Sequence, residues 1–358
     1  MTIRYIDTNM QVVNDMNSYK ASVITSEKTF EIREFELKKP LAHQVLIKVE
    51  ACAICTLEQR VYRGLMKNYP FAGGHEIAGR VVETGDGVKS VQKGDLAAVR
   101  LLTNCGECYY CRTGHENQCE SSFKAFIHEG VGGPGGLAEY MLVDARTVFR
   151  AGAALNPAHA ALAEPLACCV HSVGNGRIAF GEDVVVIGAG IMGGFHIQLA
   201  KLRGARVIAC EVDPARLDIA RQMGADVLIN SQERNAVDAV RELTEGRGAD
   251  VVFCTAAIPA LAQEAVAMTG KLGRAVMYSS FHPKEPVPLD VNAVHYSEMI
   301  ITGSVNPGIR DFYAALRLLS LGLVKPAGLI SAVYPFSEIA GAFERSITPG
   351  TYRVIVTF

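Results

Sequence analysis

The sequence predicts an α/β protein in two parts: an irregular, mostly antiparallel β domain and a doubly wound parallel sheet. Three observations carry this. Segments of β type, separated by glycine turns, fill the chain to about residue 150. Beyond about residue 155, apolar strand-like runs alternate with helical periods, the pattern of a parallel sheet buried on both faces. A glycine-rich turn, Gly188-Ala-Gly190-Ile-Met-Gly193, stands where the first of those runs meets its helix. The 358 residues suffice for two domains.

Taken in order, residues 1 to about 18 read as a loose extension. KASVITSEKTFEIREFEL and QVLIKVEACAI then alternate as strands, broken by KKPLA. GGHEIAGRVVETGDG, KGDLAAVRLL and GGPGGLAEYMLV continue the β texture. NPAHAALAEPLACCVHSVGNG is alanine-rich and predicts helix. VVVIGAG, RVIACEV and DVLIN read as buried strands, with IMGGFHIQLAKLRG and PARLDIARQMG as the helices between them. ADVVFCTA and AVMYSS add further strands. Near the end, a helix around DFYAALRLLSLG and a strand TYRVIVTF cannot bury a core alone, so they are expected to rejoin the first domain. The expected division is 1–165 with 306–358, and 166–305. No internal repeat or low-complexity segment interrupts it.

The glycine turn carries chemistry. In a G-x-G-x-x-G that follows a strand and opens a helix, the first glycine permits the tight turn. The second lets a pyrophosphate approach the backbone, and the third lets the helix pack close on the sheet. Ile191 and Met192 lie inside the motif. Glu211 closes the next strand, 21 residues after Gly190, where an acid is placed to accept the adenine ribose hydroxyls. A dinucleotide-binding Rossmann domain is therefore expected over 166–305. The same acid favours NAD over NADP, since it would face a 2′-phosphate as a like charge. Arg216 is the nearby base, able to lie along the adenosine.

Cys105, Cys108, Cys111 and Cys119 form a C-x2-C-x2-C-x7-C run within fifteen residues. A thiolate tetrad this tight fits a structural zinc, which takes four sulfurs tetrahedrally and needs no open position. An iron–sulfur cluster also uses four cysteines, but its familiar run ends C-x3-C-P. Disulfides would need an oxidising compartment. Cys55, His75-Glu76 and Glu164-Pro165 are further candidates, each with a bland reading as a buried or helix-edge residue when taken singly.

Composition sets the outer limits. Hydrophobic residues make up 49% and charged residues 20%, as in a soluble globular protein. The net charge of -2 gives no reason to expect nucleic acid or an anionic membrane as partner. The opening residues are polar and mixed in charge, with no apolar stretch for a signal peptide, and no run of about twenty apolar residues would span a bilayer. The cytoplasm is the expected location.

ACAIC55TLEQ, GGH75EIAGRVVETG, the four-cysteine lobe, AE164PLACCVHS and the glycine loop follow one another in a telling order. In that order the chain, from about residue 20 to Phe358, resembles the zinc-dependent medium-chain dehydrogenases, most closely their polyol (sorbitol-type) branch. The resemblance implies a GroES-like catalytic domain and two zinc ions per chain. It also implies a small-molecule alcohol or ketone substrate and assembly as a homodimer or homotetramer. The catalytic zinc would be held by Cys55, His75 and a carboxylate, for which Glu76 and Glu164 both qualify. Arg353, in the closing strand, would reach the cofactor pyrophosphate. The chemistry is coherent, because an alcohol gives up hydride readily only once its proton has gone. Zinc lowers the pKa of bound water from about 15.7 to about 7. A like fall for an alcohol corresponds to roughly 12 kcal/mol in favour of the alkoxide.

Departures from the family matter. Many relatives carry a hydroxyl two residues after the cysteine ligand and a histidine five after it, a relay for the alcohol's proton. Leu57 and Arg60 stand there, and neither can relay. Thr56 is one residue off and is expected to point elsewhere, while Glu58 retains a supporting role toward the zinc-binding histidine. The favoured function is an NAD-dependent zinc enzyme interconverting a secondary alcohol of a polyol, sugar or cyclitol with its ketone. The alternatives are a zinc-free enone or quinone reductase of the same superfamily and a non-catalytic nucleotide-binding relic.

Overall fold

The computed structural model describes residues 17–122, 127–281 and 284–358, so nearly all of the expected N-terminal extension lies outside the described residues. Two sheets organise them. The first has seven strands, and its path runs Ile330–Pro335, Arg353–Thr357, Gln44–Ala53, Glu76–Thr84, Leu96–Arg100, Val148–Arg150, with Tyr140–Asp144 also pairing on Gln44–Ala53. Its pairings are antiparallel except between the two C-terminal strands, which run parallel. The closing strand thus pairs into this sheet, beside Gln44–Ala53.

The second sheet is parallel, in the order Val227–Asn230, Arg206–Glu211, Asp183–Ile187, Ala249–Cys254, Thr269–Met277, Ile300–Gly303. The chain builds outward from Asp183–Ile187 through helices Ile191–Leu202 and Pro214–Gln222, then returns through Ala236–Leu243 to the other side of its first strand. That reversal lies between Asp183–Ile187 and Ala249–Cys254. Ligands of open parallel sheets settle in the crevice beyond the strand ends at such a point. Val184, Val185, Val186, Val252 and Phe253 are fully buried, which explains why these strands read as unbroken apolar runs.

Helix Ala163–Gly176 joins the two halves. Its buried face, with Ala163, Leu166, Ala167 and Cys169, belongs to one apolar cluster with Val184 and Phe195 of the parallel domain and Ala51, Ala53 and Ile355 of the first sheet. Helix Ile309–Ser320 packs against it through Phe312, Ala315 and Leu316. The cleft between the sheets is thus lined by one helix carrying Glu164, Cys168 and His171.

Candidate active site

The four-cysteine lobe forms a closed cluster. All four sulfurs lie within 4.8 Å of one another, with Cys105 Sγ 4.0 Å from Cys111 Sγ and 3.7 Å from Cys119 Sγ. Four sulfurs about 2.3 Å from a tetrahedral ion stand about 3.8 Å apart, close to the two separations above, so the tetrad suits zinc. Backbone N–H groups point at the sulfurs: Glu107 and Cys108 donate to Cys105, and Cys105 and Ser121 donate to Cys119. These donors push the Cys119 thiol down to about 6, toward the thiolate a metal requires.

The second cluster is assembled by sheet register. Ala53, the last residue of its strand, pairs with Glu76 on one side and Ile355 on the other, and Ile54 N–H donates to Val354 O at 2.9 Å. Cys55 follows at once, so Cys55, His75, Glu76 and Arg353 meet at one corner. The ligand atoms of Cys55, His75 and Glu76 lie within 4.8 Å of one another. Gly74, at φ +99°, permits the approach, because a Cβ there would lie 2.4 Å from Leu137 N.

Glu58, fully buried, organises this corner. It accepts from Cys55 N at 3.1 Å, Gly74 N at 2.9 Å and His75 Nδ1 at 3.0 Å. Its carboxylate fixes the proton on Nδ1 and leaves Nε2 of His75 free to bind a metal. Burial alone would raise the Glu58 pKa, but His75 and the backbone donors hold it below the ordinary value. Burial likewise opposes a charge on His75, yet Glu58 and Cys55 hold the imidazole well above its usual value. Glu58 thus stands hydrogen-bonded to His75, at the place where the sequence expects a supporting role.

The two candidate carboxylates differ in their surroundings. Both oxygens of Glu76 are taken by the Arg353 guanidinium, Oε2 by Nε at 2.9 Å and Oε1 by Nη2, in a pair almost wholly buried. Arg353 Nη2 also reaches Cys55 Sγ at 3.4 Å. The sequence-based expectation sends Arg353 to a pyrophosphate; the structure seats it on Glu76 while it also lines the cleft. Glu164 lines the cleft and accepts only the Cys168 thiol, at 3.5 Å, among the described residues. Desolvation raises its pKa, as expected of a buried carboxylate that holds no ion pair.

The short helix Thr56–Tyr62 corrects one expectation. Thr56 and Arg60, one turn apart, both line the cleft, whereas Leu57 packs on the apolar core of the first sheet. A hydroxyl therefore does face the cleft beside Cys55, one residue before Leu57, which lies on the other face.

The glycine loop meets the same cleft. Gly188, at φ +92°, makes the tight turn, and a Cβ on Gly193 would stand 1.9 Å from Gly188 O. Gly190 faces open space but for Arg216 Nη1. Ile191 and Met192 line the cleft with Thr255, whose hydroxyl donates to Ile187 O and Gly188 O at the strand reversal. Glu211 accepts from Ala189 N at 2.8 Å and Val212 N at 2.7 Å, so it braces the loop as well as standing at the strand end. Arg216 lies over the Tyr352 ring, 5.7 Å from its centre, and its buried Nε has no hydrogen-bond partner. A buried donor with no hydrogen bond, the Asp213 carboxylate 4.0 Å away, beside an open glycine suits an anionic, aromatic-bearing cofactor.

The whole cleft measures about 1090 Å³. Sequence reasoning missed three features of the cleft and of the glycine loop beside it. Cys168 and His171 follow Glu164 by four and seven residues on one helix, so helical arithmetic would have found them. Tyr352, whose hydroxyl donates to Ala189 O at 3.0 Å, carried no motif. Asn117 holds the metal lobe to the cleft wall through Val305 O at 3.2 Å, a contact with no local signal.

Residues 41–153 match the alcohol dehydrogenase GroES-like domain, and residues 192–320 match the zinc-binding dehydrogenase domain. The chain is 32% identical over 350 residues to a sorbitol dehydrogenase of Halalkalibacterium halodurans, covering 94% of this chain and 99% of that protein. Two solved structures superpose closely. One is a candidate zinc-binding dehydrogenase from Sinorhizobium meliloti 1021 bound to NADP, 27% identical at a TM-score of 0.87, over 96% of this chain and 100% of that one. The other is described as a short-chain alcohol dehydrogenase from Escherichia coli CFT073 complexed with NADH, 28% identical at a TM-score of 0.86, over the same shares. Sequence motifs, the two metal-ligand clusters and these likenesses agree: the chain belongs to the zinc-dependent medium-chain alcohol dehydrogenase family, on its polyol branch.

Proposed function

We propose that the protein is an NAD-dependent zinc enzyme that interconverts a secondary alcohol of the polyol, sugar or cyclitol type with its ketone by hydride transfer. The observation that carries this is one cleft lined by Cys55, His75 and Glu164 on one wall and by Ile191, Met192 and Thr255 on the other. Zinc bound there would act as Lewis acid toward the alcohol, and the nicotinamide would take the hydride.

The chain's own residues do the rest. Glu58 orients the His75 ring and fixes its tautomer. Glu164 is the carboxylate that serves the metal, because it faces the cleft without an ion pair while Arg353 occupies both oxygens of Glu76. The Glu76–Arg353 pair anchors the floor beneath Cys55. Thr56 Oγ1, in the cleft beside Cys55, accepts the alcohol's proton and passes it toward solvent. Glu211 disfavours a 2′-phosphate at the adenosine end, which supports NAD over NADP.

A screen of polyols, sugar phosphates, amino-polyols and simple alcohols tests the reading, with NADH absorbance as readout and NADP in parallel. Zinc-loaded protein should reduce NAD with at least one secondary alcohol of the first three groups and prefer NAD to NADP. Absence of NAD reduction across the whole screen would overturn the proposal.

A further inference from the structure

We propose that Arg60 forms an anion subsite in the cleft, so that the alcohol oxidised there carries a carboxylate or phosphate a few carbons from its reacting centre. This rests on the dehydrogenase reading above and adds the class of substrate.

The sign of the cleft carries the argument. Among the described residues Glu164 is the one carboxylate lining it, and a zinc held there would take up that charge. Of the two arginines in the lining, Arg353 is neutralised by Glu76. Arg60 has no hydrogen-bond or ion-pair partner for its side chain among the described residues. Other partly or fully buried arginines hold partners: Arg80 has Glu50, Arg100 has the carbonyls of Leu102 and Pro307 although its Nε stays unpaired, Arg274 has Glu182 and Gly176 O, and Arg216 has the Tyr352 ring with Asp213 at 4.0 Å. A cation in the last turn of a helix also complements the helix dipole, but an exposed side chain would serve that end. Here the guanidinium is half-buried and turned into a cavity.

Position makes the subsite specific. Thr56 and Arg60 share the cleft face of one helix, about 6 Å apart along its axis at about 1.5 Å per residue. An anion on Arg60 would therefore belong to the far part of a substrate whose carbinol sits beside Cys55 and Thr56. The lining also offers His115, Asn117, Gln118 and His171, whose side chains can bind hydroxyls between the two ends. A guanidinium fork meets carboxylate and phosphate through two parallel hydrogen bonds, which suits either anion.

The test compares matched sets: sorbitol, gluconate and sorbitol 6-phosphate, then xylitol, xylonate and xylitol 5-phosphate. Each is measured by calorimetric binding to the zinc-loaded protein saturated with NADH, and by kcat/KM with NAD. At least one anion should bind tenfold or more tightly than its neutral counterpart. Which anion it is distinguishes carboxylate from phosphate. Arg60→Gln should lower that preference about 10- to 100-fold, the effect of losing charge-assisted hydrogen bonds. Arg60→Lys should restore part of it. A preference near one in both sets, or an Arg60→Gln variant that keeps the anion preference, overturns the subsite. If anions bind through Arg60 but neither they nor any alcohol reduces NAD, the dehydrogenase reading fails and the subsite stands.

Discussion

Replacing Arg353 by methionine keeps most of the side chain's volume and removes its charge, stranding Glu76 at 0% exposure beneath Cys55. Taking one partner from a buried ion pair typically costs about 3–5 kcal/mol, mostly because the remaining charge is left unpaired. A domain of roughly 150–250 residues shifts by about 2–4 °C per kcal/mol, so Arg353→Met should melt about 6–20 °C below the wild type. Differential scanning calorimetry of zinc-loaded protein reads this directly. The companion Glu76→Gln/Arg353→Met removes the stranded charge and should recover much of the loss. A single variant melting within about 2 °C of wild type would refute the reasoning. It would mean that Glu76 finds its counter-charge in the metal, and that Glu164 is not the serving carboxylate.

Three further outcomes are expected. Glu58→Gln should weaken zinc retention at the Cys55–His75 site about 10- to 100-fold in a chelator competition, because the carboxylate that orients His75 is gone; unchanged retention would remove Glu58 from that role. Glu211→Ser should narrow the NAD-over-NADP ratio of kcat/KM; a wild type that already prefers NADP would contradict the placement of the acid. His196 is fully buried, donating from Nδ1 to Met192 O and accepting from Ser172 at Nε2, and burial pushes its pKa from 6.5 down to about 4. The unfolded chain takes up that proton first, so stability is complete above pH 6.5 and falls by roughly 3 kcal/mol as the pH drops toward 4. Urea unfolding of wild type and His196→Asn at pH 7 and pH 4 checks this, since the variant should lose less stability over that window.

What was legible in the sequence was local. The cysteine tetrad, the glycine loop and the Glu-Pro-Leu segment each declare themselves by spacing within one short stretch, because one turn or one lobe fixes all their atoms. The parallel sheet was legible because strands buried on both faces must be apolar throughout. Arg353 was less so. Its partner Glu76 is 277 residues away and reaches it through strand register, which no spacing records. Asp311, which accepts from His171 Nδ1 at 2.9 Å, is likewise 140 residues distant. Thr56 was misplaced for a different reason. A helix starting at residue 56 puts positions 56 and 60 on one face and 57 on another, so an offset of one residue exchanges cleft for core.

The central claim is that two separate zinc sites exist, one closed and one serving the cleft. Elemental analysis of freshly purified protein tests it most directly, with Cys55→Ser and Cys108→Ser alongside. The wild type should hold about two zinc ions per chain, one for each ligand cluster. Cys55→Ser should keep about one and remain folded, while Cys108→Ser should lose zinc and stability together, since structural zinc binding is coupled to folding. Wild-type protein with no zinc, or Cys55→Ser with the full wild-type content, would contradict the account.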